Sequence, residues 1–449
     1  MLAFLASLLP GAAAAQGPVP RITTIRDAET ENLIRRLANP LFRTAGVEPS
    51  LVRITLIQNR AINAFVSTGN RMFVHTGLIQ QSTGAAEVAG VLAHETGHIA
   101  GGHLLRLPDE MRAAMLRAAA GLILGGAAAA ATGEGGALVA GALGGQASAA
   151  GQFFAFTRSQ EQAADQAALS YLDRLGWPAL GLERLLERLL EQELLAVGRQ
   201  DPYFRTHPLS RDRLDFVREI MGRAGARTGP GAVLPPGIEP AFAMVRAKLD
   251  GFIDPPATTL RRFPDGDTSA AARYARAIAH FRASRIDLAL AGLDSLLREA
   301  PASPWLHELK GQVLFESGRL AEALPAYAEA ARLAPGEPLI RLHHARVLIE
   351  IGTPPLLRRA VAELDVALAS ERESPFFWRQ MAIARGRLEE LPLADLALAE
   401  EALLLGDPRA ARALATRAEA ALPPGPQRLR AADLRNAAAT ATEDQGRRR

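Results

Sequence analysis

Apolar residues recur at helical spacing along most of this chain and form short continuous runs in one interval only. Leu33, Ile34, Leu37 and Leu41 fall three or four apart behind an acidic start at Asp27–Glu31, which predicts a helix within 21–48. Leu51–Gln58 and Arg71–His75 are rich in Val, Ile and Thr and read as two strands, with turn chemistry at Ser67-Thr68-Gly69-Asn70. A long helix is expected from about Ala85 to Leu105, ending before Pro108. Helical patterns resume from Ser159 to about Met221. The Gly- and Pro-rich Gly222–Pro240 then marks a domain boundary.

Two stretches break the pattern. Leu2–Leu9 is uncharged and apolar, Pro10-Gly11 interrupts it, and Ala12–Ala15 precedes Gln16. That reads as an export signal cut after Ala15, although a basic start is missing. Ala118–Gly133 and Gly135–Thr157 carry no charge, with Glu134 alone between them. Their length allows a membrane-spanning hairpin. Their glycine and alanine content favours a buried or surface-lying helix pair making peripheral membrane contact through 118–157.

The second half of the chain repeats. Gly311, Gly318, Ala323, Tyr327, Ala330 and Pro335 have the spacing of a 34-residue helix–turn–helix unit of the tetratricopeptide type. Stepping back 34 residues takes Pro335 to Pro301 and Ala323 to Ala289; stepping forward takes Gly311 to Ala345 and Gly318 to Gly352. A short insertion around Pro354-Pro355 shifts the register, a looser unit covers Phe377–Leu405, and Asp407–Pro423 adds a helix. Stacked units of this kind bury one continuous core. The expected fold is mainly α: a helical domain with a small β-sheet, then an α-solenoid of tetratricopeptide repeats. Its divisions are a leader at 1–15, a first domain at 16–221, a linker at 222–264, repeats at 265–425 and a polar tail at 426–449.

Composition narrows the chemistry. The 449 residues contain no cysteine, which excludes a disulfide scaffold, a cysteine-ligated zinc ribbon and a thiol nucleophile. Lys248 and Lys310 are the only lysines among 51 basic residues, and the net charge is +3. No basic run with interleaved aromatics argues for a nucleic-acid partner.

The sharpest motif is His94-Glu95-Thr96-Gly97-His98. Four residues of helix turn the chain by about 400°, so the two imidazoles stack on one face and can hold one Zn²⁺ per chain. Glu95, about 100° round, is placed to act as general base beside the metal. Leu104 stands where a third histidine would complete an H-E-x-x-H-x-x-G-x-x-H pattern. His103 projects about 180° from His94 on a continuous helix and reads as a supporting or structural residue. Glu161 and Asp165, one turn apart, offer a third ligand and a carboxylate to hold a ligand imidazole in its tautomer.

His94-Glu95-x-x-His98, Glu161-x-x-x-Asp165, and His207-Pro208 with Arg213 together resemble the zinc metallopeptidases that include HtpX and the CAAX prenyl protease. Ile25-Arg26-Asp27-Ala28-Glu29, Asn63-Ala64-Phe65 and the repeats narrow this to a BepA-like exported bacterial branch. The resemblance covers about 22–220 and, more loosely, 265–425. It implies metal ligands at His94, His98 and Glu161, and a catalytic glutamate at Glu95. It also matches Asp165 to a position sometimes assigned as proton donor, His207 to a fourth zinc ligand that keeps the enzyme latent, and Arg213 to an oxyanion-steadying cation. The resemblance implies a zincin-like metallopeptidase fold for 16–221, and the expected protein is a periplasmic zinc endopeptidase with a chaperone-like role in outer-membrane protein assembly. Its partners are misfolded client chains and, through the repeats, the assembly machinery. Two other readings remain open in the sequence: a repeat-based adaptor or holdase with little proteolysis, and a membrane-embedded protease using 118–157 as a hairpin.

Overall fold

The computed structural model describes residues 23–132, 135–191, 211–222 and 231–447; the expected leader and His207 lie outside these. Strand β1 (Thr24–Ile25) leads into helix α1 (Ala28–Thr44), whose first turn is capped by the Asp27 carboxylate accepting from the Thr30 N–H. Leu33, Ile34, Leu37, Leu41 and Phe42 on its inner face are buried, as the spacing predicts.

Strands β2 (Arg53–Ile57), β3 (Ala64–Ser67) and β4 (Arg71–His75) complete a four-stranded sheet in the order β1-β2-β4-β3. β2 and β4 pair in parallel, while β3 and β4 form a hairpin over the expected turn. The sequence pattern gives two strands, and the sheet has four. β1 is two residues long and β3 four, too short to show a periodicity. Leu56, Ala64, Met72 and Val74 face the core. Among the described residues β3 is an edge strand of the sheet.

After α2 (Thr76–Gln81) come α3 (Ala85–Ala100), α4 (His103–Thr132), α5 (Gly135–Leu175), α6 (Leu180–Glu191) and α7 (Arg211–Met221). The helix expected to run from Ala85 to Leu105 stops at Ala100. Gly102 turns the chain at φ +61°, and α4 then continues through Pro108. α4 and α5 pack as an antiparallel pair that leaves Met115, Leu116, Leu122, Ile123, Leu124 and Leu143 exposed. No helix among the described residues is long and apolar enough to cross a membrane.

The interval 222–264, read as a linker, contains α8 (Ile238–Ile253) and α9 (Pro256–Arg262). Phe242, Val245 and Leu249 of α8 join the core of the first domain, and α8 also packs on the first repeat helix. Five helix pairs follow. The leading helices are α10 (Ala270–Arg282), α12 (Pro304–Glu316), α14 (Pro338–Ile351), α16 (Pro375–Arg387) and α18 (Pro408–Ala421). Their partners are α11 (Ile286–Glu299), α13 (Leu320–Leu333), α15 (Pro354–Leu368), α17 (Leu391–Leu404) and α19 (Pro426–Arg447). Leading helices start at 270, 304 and 338, keeping the 34-residue period, and the next starts at 375. The insertion therefore lies after α15, at about 368–374, and not at Pro354-Pro355. The expected polar tail is helical as well, with Ala431, Leu434 and Ala438 buried.

The two parts of the chain meet at the start of α1. Lys248 of α8 is buried with its Nζ 2.5 Å from Asp27 and 3.3 Å from Glu29, while Tyr274 of α10 donates to Glu29 at 2.9 Å and Glu308 of α12 lies 3.9 Å from Lys248. Burial, partly offset by Lys248, pushes Glu29 up to about 7, so the cluster is spared three full negative charges. Further out, Arg26 pairs with Glu371, Arg53 with Glu373, and Asn32 with Glu337.

Lys248→Met removes the lysine that faces these buried acids. It is expected to lower unfolding free energy by about 3–5 kcal/mol, read from urea denaturation of the full chain. An unchanged midpoint would show that the cluster does not hold the two parts together.

Candidate metal centre

Helix α3 carries His94 and His98 one turn apart and points both at α5, which carries Glu161 and Asp165. The two helices touch closely. A Cβ on Gly97 would sit 2.9 Å from the backbone oxygen of Ala164, so a side chain there would push α3 off α5. His94, Glu95 and Asp165 expose no surface, and His98, Glu161 and Arg213 are also buried.

Three donor atoms converge. His94 Nε2 lies 3.0 Å from His98 Nε2, and each is 3.3 Å from one oxygen of Glu161. A tetrahedral site with ligands at about 2.0–2.1 Å has edges of about 3.3 Å, so these atoms can close on one ion with little movement. Two imidazoles and a carboxylate also form a donor set that leaves a coordination position open. The structure thus brings His94, His98 and Glu161 together as a group able to hold a metal ion.

Behind the donors stands an ionic support. The His94 Nδ1 and Asp165 Oδ1 atoms are 2.9 Å apart, which suits an Nδ1–H donated to the carboxylate and leaves Nε2 free for a metal. Arg213 of α7 grips the same carboxylate with Nε at 2.6 Å and a terminal nitrogen at 2.9 Å, and reaches Glu161 at 3.0 Å. Arg213 therefore sits on the carboxylates, where sequence reading expects an oxyanion cation. Burial opposes ionisation of Asp165, but the charge and hydrogen bonds of Arg213 bring it down to about 2. Burial likewise opposes the His94 imidazolium, yet Asp165 and Glu161 hold it up to about 10 when no ion is bound.

Sequence spacing names five residues of this group: His94, Glu95, His98, Glu161 and Asp165. It misplaces His103. The ring expected to point away returns to the site, with its Nδ1 2.9 Å from the Nδ1 of His98. Burial, Arg106 and His94 push the His103 imidazole below its ordinary pKa, against the pull of Glu161.

The profile of peptidase family M48 matches residues 25–221. The beta-barrel assembly-enhancing protease of Escherichia coli (strain K12) is 28% identical over 342 residues, spanning 74% of this chain and 67% of its own. Metalloprotease LoiP of the same strain is 30% identical over 208 residues, 45% of this chain and 76% of its own. Among solved structures, YrrB, a TPR protein with an unusual peptide-binding site, aligns over 38% of this chain and 88% of its own, at 16% identity and a TM-score of 0.32.

A ligand imidazole must be neutral, so metal binding has to expel the proton that His94 holds below pH about 10. Metal affinity is expected to rise about tenfold per pH unit from about pH 6 to about pH 8. Chelator competition at each pH reads this directly, and a flat profile would place the imidazole as already neutral in the free protein.

Proposed function

The chain belongs to peptidase family M48, and from that premise we propose an exported, zinc-dependent endopeptidase that cleaves misfolded or stalled envelope proteins in the periplasm. The observation that carries this reading is the spacing of His94, His98 and Glu161, buried together beside Glu95. The assembly-enhancing relatives support outer-membrane protein assembly as the setting, with the repeats engaging client chains or the assembly machinery.

His94, His98 and Glu161 would hold one zinc ion, which when bound supplies Lewis acidity toward the scissile carbonyl and lowers the pKa of water. Glu95 takes the proton from the attacking water and passes it to the leaving amine. Asp165 keeps His94 in the tautomer that frees Nε2, and Arg213 fixes Asp165 and Glu161 against each other. His207 is proposed as a fourth ligand that keeps the site latent until a substrate displaces it. An extended client segment adds to the free edge of β3, a mode that reads backbone more than side chain and suits unfolded chains of many sequences.

The tip of the α4–α5 hairpin, where Glu134 is the one charged residue within 118–157, is proposed as a peripheral membrane contact. Its exposed leucines and isoleucine face outward, and Arg106, Arg112, Arg117 and Arg158 outnumber Asp109 and Glu110 in the flanking turns. Purified protein is expected to float with vesicles containing anionic lipid, and the double substitution Leu122→Glu with Ile123→Glu should reduce the bound fraction about tenfold or more. Equal flotation of both proteins would reject the contact.

The function is tested in a His207→Ala background, so that a latched site is not mistaken for an inactive one. That variant should degrade an unfolded protein, and adding Glu95→Gln should lower the rate by about 10²–10⁴-fold. Cleavage that persists without Glu95 would reject the assigned base. Absence of cleavage in both proteins, with zinc bound, would favour a holdase built on the repeats.

A further inference from the structure

The turn after the metal helix returns a second imidazole to the centre. Gly101 N–H closes α3 onto Gly97 O at 2.9 Å, Gly102 N–H bonds Ile99 O at 3.1 Å, and Gly102 then takes the left-handed conformation at φ +61°. The next residue is His103, the first of α4. Its buried ring stands edge-on to His98, with centroids 4.9 Å apart, planes at 81° and Nδ1 atoms 2.9 Å apart. The ring also occupies the space over Gly101, where a Cβ would come within 2.5 Å of His103 Nε2. Both glycines are thus required by the placement of one side chain, the first by contact and the second by backbone conformation.

Hydrogen placement follows from the heavy atoms. His98 Nε2 faces His94 Nε2 and Glu161, so it needs a free lone pair to bind a metal and the proton must sit on Nδ1. Only one hydrogen fits between two Nδ1 atoms 2.9 Å apart. His103 Nδ1 must then accept, with its own proton on Nε2. We propose that His103 is a positioning residue of the metal centre: it accepts the His98 Nδ1–H and fixes the tautomer in which His98 presents Nε2. This rests on the reading that His94, His98 and Glu161 hold a metal.

The two histidine ligands then have unequal supports. His94 is backed by a carboxylate clamped to Arg213, whereas His98 is backed by a neutral ring on a different helix. A neutral acceptor leaves His98 the less basic of the two donors.

The test uses the full chain and zinc alone, with affinity read by chelator competition. His103→Phe keeps a ring and removes the acceptor; it is expected to weaken zinc binding about 10–100-fold. His103→Asn restores an oxygen near the Nδ1 position and is expected to recover affinity to within about threefold of the parent. The Co²⁺-loaded forms should show an altered ligand-field spectrum for Phe and a parent-like one for Asn. Affinity unchanged in His103→Phe, or lost equally in both variants, would overturn the proposal. Failure of the parent chain to bind zinc would instead reject the metal-site reading itself. Should His103→Phe not fold, ¹⁵N-histidine spectra of the zinc-loaded parent decide: His98 as the Nδ1–H form beside His103 as the Nε2–H form supports the proposal, and His103 as the Nδ1–H form overturns it.

Discussion

Two buried carboxylates, Glu161 and Asp165, share the guanidinium of Arg213, and the centre depends on that sharing. Taking a carboxylate out of water costs several kcal/mol, and a second one turn away adds repulsion. A cation 2.6–3.0 Å from both offsets the cost and fixes their orientation. Asp165 is then able to receive His94, and Glu161 is aimed at the gap between the imidazoles. The contact also ties three segments distant in sequence, α3, α5 and α7, to one point. Gly97 permits the same convergence sterically, because α3 could not lie so close to α5 with a side chain there.

Most of this centre is legible in the amino-acid sequence, because a helix converts spacing into direction. His94 with His98 and Glu161 with Asp165 are each one turn apart, and a turn is the distance at which two side chains share a target. The same rule misdirects His103. Applied across Gly101-Gly102, where the helix ends, it counts on backbone that is no longer helical and puts the ring on the wrong side. Arg213 falls in the right neighbourhood with a different partner, since spacing says nothing about which of two nearby charges a guanidinium will meet. β1 and β3 escape the pattern for another reason: each is defined by pairing with a strand elsewhere, and too few residues remain to show alternation.

The repeats illustrate the limit of periodicity in a different way. A 34-residue period only brackets where a unit is lengthened, and the proline pair at Pro354-Pro355 draws the insertion one helix too early. Its true position has a structural reason. The loop before α16 carries Glu371 and Glu373, which meet Arg26 and Arg53 of the peptidase domain. Exposed pairs such as Arg53–Glu373 add little stability. At the same joint Ala28 packs in a cluster with repeat residues, and Met244 and Phe252 of α8 pack on another, so apolar burial accompanies the buried Lys248 cluster there. Joint and register are therefore one feature, with the extra residues placed where the solenoid needs to reach its neighbour.

The scarcity of lysine gives the chain an unusual chemical simplicity. Arginine stands in its place almost everywhere, leaving two side-chain amines in 449 residues. One is Lys310, partly exposed on the first helix of the second repeat and paired with Asp294 at 2.7 Å. The other, Lys248, is sealed among acids at the joint. Apart from the α-amino group, acylating reagents therefore meet one accessible lysine on the folded protein, which places a lysine-linked fluorophore at one point of the repeat domain. A second lysine label would appear only when the joint opens, so mass spectrometry could time the parting of peptidase and solenoid without altering a single residue.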